Sequence, residues 1–248
     1  MYRSKKTGPF IPAVAALAIL AGASAHAGSF SVSPVRIFME ARERATGITI
    51  VNEGDTDLVM QAELFEWKQK PDGTDELLPT QDLILAPPIL KLAKGGRQVV
   101  RLANLRPPVP GEQQTYRLIV REVPEAEAQG KSGVQVQVAL AFSLPVFITP
   151  PGAKRALVCT ASRAGPTSIN ATCENRGQAY AQPVGMTLAT PTGNTLLSGD
   201  IKGGYVLPGV TRHFTLASDG SGIPTGPARL QVTQDDGSKQ VFDVQLAD

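Results

Sequence analysis

Val134 to Ile148 reads VQVQVALAFSLPVFI. Val134, Val136, Val138, Leu140, Phe142, Leu144 and Val146 alternate with smaller or polar residues. A β-strand points successive side chains to opposite faces, so these seven share one face. Gln135, Gln137, Ala139, Ala141, Ser143 and Pro145 share the other. Strands of ordinary domains run about five or six residues. This run carries more apolar length than one small sandwich needs. The surplus is available to another chain.

The same cadence recurs on either side. Ser31–Phe38, Gly47–Val51, Leu58–Phe65, Gln98–Leu102 and Tyr116–Val123 alternate, and Asp72-Gly73, Gly95-Gly96 and Pro110-Gly111 mark turns. Helix-period runs are hard to find. Thr149-Pro150-Pro151-Gly152 closes the long strand as a short elbow. A second series follows: Arg155–Ala161, Ser168–Asn175, Val184–Ala189, His213–Ala217, Ala228–Thr233 and Val241–Leu246. Leu92-Ala-Lys-Gly-Gly-Arg-Gln-Val-Val-Arg-Leu in the first half loosely matches Leu207-Pro-Gly-Val-Thr-Arg-His-Phe-Thr-Leu in the second. Two antiparallel β-sandwiches of similar design are predicted, because single cores stop growing at this size.

The chain opens with a leader. Arg3, Lys5 and Lys6 precede an apolar stretch from Ile11 to Ala23, and Ala25-His26-Ala27 is a small-x-small cleavage site. Residues 1–27 read as a secretory signal peptide, too short for a membrane span. The mature chain then begins near Gly28 with about 220 residues, enough for two domains: 28–149 and 150–248. The 24 Lys and Arg and 22 Asp and Glu become 21 and 22 without the leader. Such neutrality gives no field for nucleic acid or an anionic membrane, and no membrane insertion is expected after cleavage.

Outside the cytoplasm, the two cysteines, Cys159 and Cys173, are expected to form a disulfide between adjacent strands. The loop it closes corresponds to a stabilisation of about 3 kcal/mol. CxxC is absent, and two cysteines are too few for a cysteine-only zinc site. His213 is the one mature histidine and reads as a strand residue. Asp219-Gly-Ser-Gly222 is no nucleophile elbow, and Gly95-Gly96-Arg97 lacks the Walker ending. Asp72-Gly73 and Asp235-Asp236-Gly237 read as hairpin turns rather than calcium loops. No enzymatic activity, cofactor or metal is expected.

Several segments carry a family resemblance. They are Ser31-Val-Ser-Pro-Val-Arg36, Ile50-Val-Asn52, Ala86-Pro87-Pro88 and Val99-Val-Arg101-Leu. Tyr116–Leu118 with Arg121-Glu122-Val123-Pro124, and the strand end Val146-Phe-Ile-Thr-Pro150, complete the set. In order and spacing they resemble periplasmic pilus chaperones of the PapD type. The resemblance covers about residues 29–150 well and the second half weakly. It implies two immunoglobulin-like β-sandwich domains in a boomerang arrangement. It implies a periplasmic chaperone that carries incomplete pilus or fimbrial subunits to an outer-membrane usher. The chaperone would lend Val134, Val136, Val138, Leu140, Phe142 and Leu144 as the strand such a subunit lacks.

The family anchors the subunit's C-terminal carboxylate on two basic residues in the cleft. Arg36 matches the first. The second, a lysine, falls on Pro145, which carries neither charge nor N–H. Ser143-Leu-Pro-Val-Phe147 is similar to the divergent branch serving spore-coat-U-like or archaic pilus subunits. Arg101 and Arg121 are the candidates to replace the lysine, and the sequence does not choose between them. The competing reading is a secreted two-domain adhesion or structural protein that keeps the alternating strand in its own sheet.

Overall fold

The computed structural model of the chain describes residues 29–70, 72–106, 110–124, 139–202, 204–218 and 222–247. The signal-peptide reading and Val134, Val136 and Val138 lie outside these residues. Every regular element among the described residues is a strand. The first ten are β1 (Phe30–Ser33), β2 (Ile37–Glu40), β3 (Ala45–Asn52), β4 (Leu58–Gln69), β5 (Asp75–Pro79), β6 (Leu83–Ala86), β7 (Ile89–Leu92), β8 (Arg97–Asn104), β9 (Gln114–Glu122) and β10 (Ala141–Thr149). One sheet has the order β1-β3-β8-β6, and the other β2-β10-β9-β4-β5, with β7 also paired to β4. Ile48, Ile50, Met60, Val100, Leu102, Leu118, Val120 and Val146 fill the space between them.

The second sandwich comprises β11 (Leu157–Gly165), β12 (Ser168–Asn175), β13 (Pro183–Ala189), β14 (Thr195–Asp200), β15 (Thr211–Ala217), β16 (Gly226–Gln234) and β17 (Lys239–Leu246). Its sheets have the orders β11-β12-β15 and β14-β13-β16-β17. Cys159 and Cys173 are register partners on β11 and β12 and form the expected disulfide. Trp67 and Phe147, from strands of the first sandwich, pack in the core cluster of the second.

Each sandwich buries an asparagine at the end of a strand, Asn52 closing β3 and Asn175 closing β12. Asn52 Nδ2 donates to the carbonyls of Thr56 (2.8 Å), Ala93 (3.1 Å) and Leu92 (3.3 Å), while its Oδ1 accepts from Gly54 N–H (3.0 Å). Asn175 Nδ2 donates to the carbonyls of Ala179 (2.8 Å) and Val206 (2.9 Å), and its Oδ1 accepts from Gly177 N–H (3.0 Å). Leu92 begins the first of the two loosely matching segments and Val206 immediately precedes the second, so that match has a structural cause. Each buried amide satisfies carbonyls of the loops around it, one of them in a fully buried bond. Asn175→Ala is therefore expected to destabilise the protein by about 3 kcal/mol, read from chemical denaturation. A loss below about 1 kcal/mol would contradict this role.

Two readings need correction. Ser31–Phe38 is not one strand. β1 pairs antiparallel with β3, while β2 pairs parallel with β10 in the facing sheet. Pro34 has no N–H to continue the first ladder, and the chain crosses at the bend 34–36. Arg36 thus sits in that bend, not within a strand. β5, β6, β7 and β14 are strands beyond those predicted from the sequence. β6 and β7 have only four residues each, flanking Pro87-Pro88, too few to display an alternation.

Candidate functional site: an open strand edge leading to an arginine pair

β10 pairs with β9 along its whole length, from Ala141↔Arg121 to Ile148↔Gln114. On its other side β2 covers only Val146 to Thr149. From Ala141 to Pro145 that edge has no strand partner among the described residues. Leu140 O accepts from Glu122 N–H (2.9 Å), so the even-numbered residues bond β9. The alternation of an antiparallel ladder then turns the backbone groups of Ala141 and Ser143 toward the open edge. Pro145 adds a carbonyl there and no N–H. Its missing donor costs the β9 ladder nothing, which is why a proline is tolerated inside this strand.

The apolar alternation changes environment along the strand. Leu144, Val146 and Ile148 are buried in the first core. Leu140 and Phe142 continue the same face but are 37% and 39% exposed. The Phe142 ring meets Phe30 edge-on at 5.0 Å. The sandwich therefore ends while its apolar strand face continues.

Past the open edge stands Arg36. Pairing of Val146 with Ile37 and Phe147 with Phe38 places Arg36 beside Pro145, one step beyond the ladder. Pro145 is paired on its other side with Arg117. The two arginines flank Pro145 on the face that carries Phe147 toward the second sandwich. With strands about 4.8 Å apart, their backbones stand about 10 Å apart.

Arg36 Nη1 donates to Asp235 Oδ2 (2.7 Å) and Gln182 Oε1 (3.1 Å), both from the second sandwich. Its side chain stays 37% exposed, open to an arriving anion. Burial lowers its pKa, but Asp235, Tyr205 and Tyr180 outweigh that and leave it raised. Asp235 also accepts from the Tyr180 hydroxyl (3.2 Å) and faces Arg155 Nη1 (3.6 Å). Burial first, then Asp235, pushes the Tyr180 hydroxyl up to about 12, so it remains a donor at neutral pH.

Arg117 is the residue that sequence reasoning missed. Its guanidinium lies 3.6 Å over the Trp67 ring and 5.6 Å from the Tyr205 ring. Its side chain is 13% exposed, and its nearest carboxylate is Asp75, 3.5 Å away and itself half-exposed. Burial lowers its pKa against the pull of Asp75 and Tyr205. A desolvated guanidinium with one long ion pair gains from a second anion. The available signal was its place on the same alternating face of β9 as Arg121, four residues before it, but cross-strand register decided its place.

The other predicted basic residues are elsewhere. Arg101 lies on β8 in the opposite sheet, exposed between Gly47 and Ala86, so the whole first core separates it from Arg36. It does not join the site. Arg121 shares the face of Arg117 but sits four residues along β9, about 13 Å away, and is ion-paired with Glu63. It borders the open edge at Ala141 rather than Arg36. His213 is exposed, with its Nδ1 3.0 Å from the Thr172 hydroxyl. Among the described residues no group of His, Cys, Asp or Glu is arranged to hold a metal, and no helix is long and apolar enough to cross a membrane.

Comparison with known proteins agrees with this architecture. Residues 29–154 match the family described as pili and flagellar-assembly chaperone, PapD N-terminal domain. A probable fimbrial chaperone, LpfB of Escherichia coli O157:H7, is 21% identical over 140 residues, which is 56% of this chain and 57% of that protein. Little more than half of that relative's length is therefore spanned. The chaperone in the CsuC–CsuE chaperone–tip adhesion subunit pre-assembly complex, from archaic chaperone-usher Csu pili of Acinetobacter baumannii, shares the fold. It has a TM-score of 0.63 at 22% identity, over 89% of this chain and 100% of that one. The E. coli chaperone DraB has a TM-score of 0.57 at 19% identity, over 90% and 98%. The matched stretch takes in both sheets of the first sandwich, the open edge of β10 and the bend of Arg36, and the chain belongs to the PapD-type family of pili and flagellar-assembly chaperones.

Proposed function

We propose that this protein is a periplasmic chaperone that captures pilus or fimbrial subunits by lending them the edge and apolar face of β10, and delivers them to an outer-membrane usher. In this reading residues 1–27 are a removed signal, 28–149 the strand-lending domain and 150–248 the second domain. The observation that carries it is an unpaired strand edge running directly into two arginines.

Polarity follows from that arrangement. A strand added along Ala141–Pro145 occupies the edge that β2 occupies from Val146 onward. If it runs parallel to β10, its C-terminus meets Arg36. If it runs antiparallel, its N-terminus is brought there instead, and an ammonium is repelled by a guanidinium. Arg36 and Arg117 therefore favour a parallel strand that ends in a free carboxylate. Leu140, Phe142 and the preceding Val134, Val136 and Val138 would supply apolar side chains to the subunit's groove. Each one fully buried contributes about 1.5–3 kcal/mol before ordering costs. The reading needs no catalysis, cofactor or metal.

Periplasmic co-expression with a small secreted subunit encoded beside this chain tests it. The subunit is expected to co-purify when intact. Amidation of its C-terminus by semisynthesis, or extension by four residues, is expected to reduce recovery at least about tenfold, the loss of one charge-assisted contact. Equal recovery of intact and extended subunit would remove the carboxylate from the mechanism. Failure of every such subunit to bind would favour the adhesion or structural reading.

A further inference from the structure

The hairpin of β4 and β5 leaves the first sandwich and lies against the second. Its turn carries Gly73 at φ +82°, and a Cβ there would meet Arg212 Cγ at 2.8 Å. At the last strand pair before the turn, one carboxamide makes three bonds. Gln69 Nε2 donates to Asp75 Oδ1 (3.0 Å) and to the Tyr205 carbonyl (3.2 Å), and Gln69 Oε1 accepts from Leu207 N–H (3.0 Å). Two of these partners belong to the second sandwich. The third, Asp75, is the counter-ion of Arg117.

Both branches from Gln69 return to one place. Through Asp75 it holds the Arg117 guanidinium, which lies over Trp67. Through the Tyr205 backbone it holds the Tyr205 ring, edge-on to Trp67 at 5.3 Å and facing Arg117. We propose that Gln69 is a positioning residue: its carboxamide locks the seam between the sandwiches and fixes Arg117 for the carboxylate of a captured chain. This rests on the capture reading above. An anion arriving at Arg117 competes with Asp75, and Gln69 is the residue through which that exchange reaches the seam.

The test uses full-length mature protein and two peptides. One is an N-acetylated octapeptide of alternating valine and threonine, with two added N-terminal lysines and a free C-terminal carboxylate. The other is its C-terminal amide. Trp67 is the sole tryptophan, so its fluorescence reports the site. Wild type is expected to prefer the acid by about tenfold or more. Gln69→Leu is expected to lose that preference while binding the amide as before. In an Arg117→Leu background, Gln69→Leu is expected to change nothing further, because it acts through Arg117. Should Gln69→Leu unfold, Gln69→Glu takes its place. It keeps the length and the acceptor for Leu207 but sets a charge against Asp75, and the same loss is expected. A wild-type acid preference retained in either variant overturns the positioning role and leaves the capture reading standing. Absence of any acid preference in wild type overturns both.

Discussion

Arg36→Ala is expected to abolish subunit capture while leaving a folded protein. Arg36 is held by Asp235 and Gln182, yet more than a third of its side chain meets solvent. Its removal opens no cavity in either core. Asp235 keeps Tyr180 and Arg155, so the buried carboxylate is not stranded. In the capture reading the subunit's terminal carboxylate is left with Arg117 alone. Loss of one charged partner in an interface costs roughly 2–5 kcal/mol, or about 30- to 5,000-fold in affinity. Arg36→Lys keeps the charge but not the two-pronged geometry, so it is expected to fall between. Co-purified subunit, quantified beside a thermal melt of each variant, measures both halves of the expectation. Full recovery with Arg36→Ala would end its assignment as an anchor.

Much of the fold was legible because one face of each central strand is buried. Ser168–Asn175 coincides with β12, a central strand with Ile169, Ala171 and Cys173 all inward. Tyr116, Leu118 and Val120 give β9 the same signature. The likeness between the segments at Leu92 and Leu207 was legible too, and the paired asparagines explain it. What was not legible depends on register between distant strands. Nothing local distinguishes Arg117 from Arg121, since both alternate outward on β9. Only the pairing of Pro145 with Arg117 brings one of them across from Arg36. The change of sheet at Pro34 was hidden for a related reason. The buried positions shift from even-numbered Phe30 and Val32 to odd-numbered Ile37 and Met39 across the bend, and only the change of hydrogen-bond partner from β3 to β10 makes that shift a change of sheet. Trp67 faces away from Leu58, Met60 and Ala62 on β4 and is buried by the second sandwich rather than the first.

Leu140→Glu and Leu144→Glu are expected to part company. The two residues sit four apart in one alternating run, Leu140 just before β10 and Leu144 within it, and the sequence treats them alike. Leu144 is 3% exposed and packs with Val146 and Ile148 in the first core. A carboxylate there loses the apolar burial and gains no partner, a cost of about 4 kcal/mol or more that should unfold the first sandwich. Leu140 is 37% exposed, beyond the last residue that the facing sheet covers. Its backbone still bonds Glu122, which a substitution leaves intact. A glutamate there stays in water, so the melting temperature should move by no more than about 2 °C. Its effect falls on capture instead, because the subunit's groove would have to bury that charge. Subunit recovery is therefore expected to vanish with Leu140→Glu at unchanged stability. Unfolding of Leu140→Glu alongside Leu144→Glu would mean that the strand serves only its own core. The lending mechanism would then give way to a two-domain adhesion or structural protein.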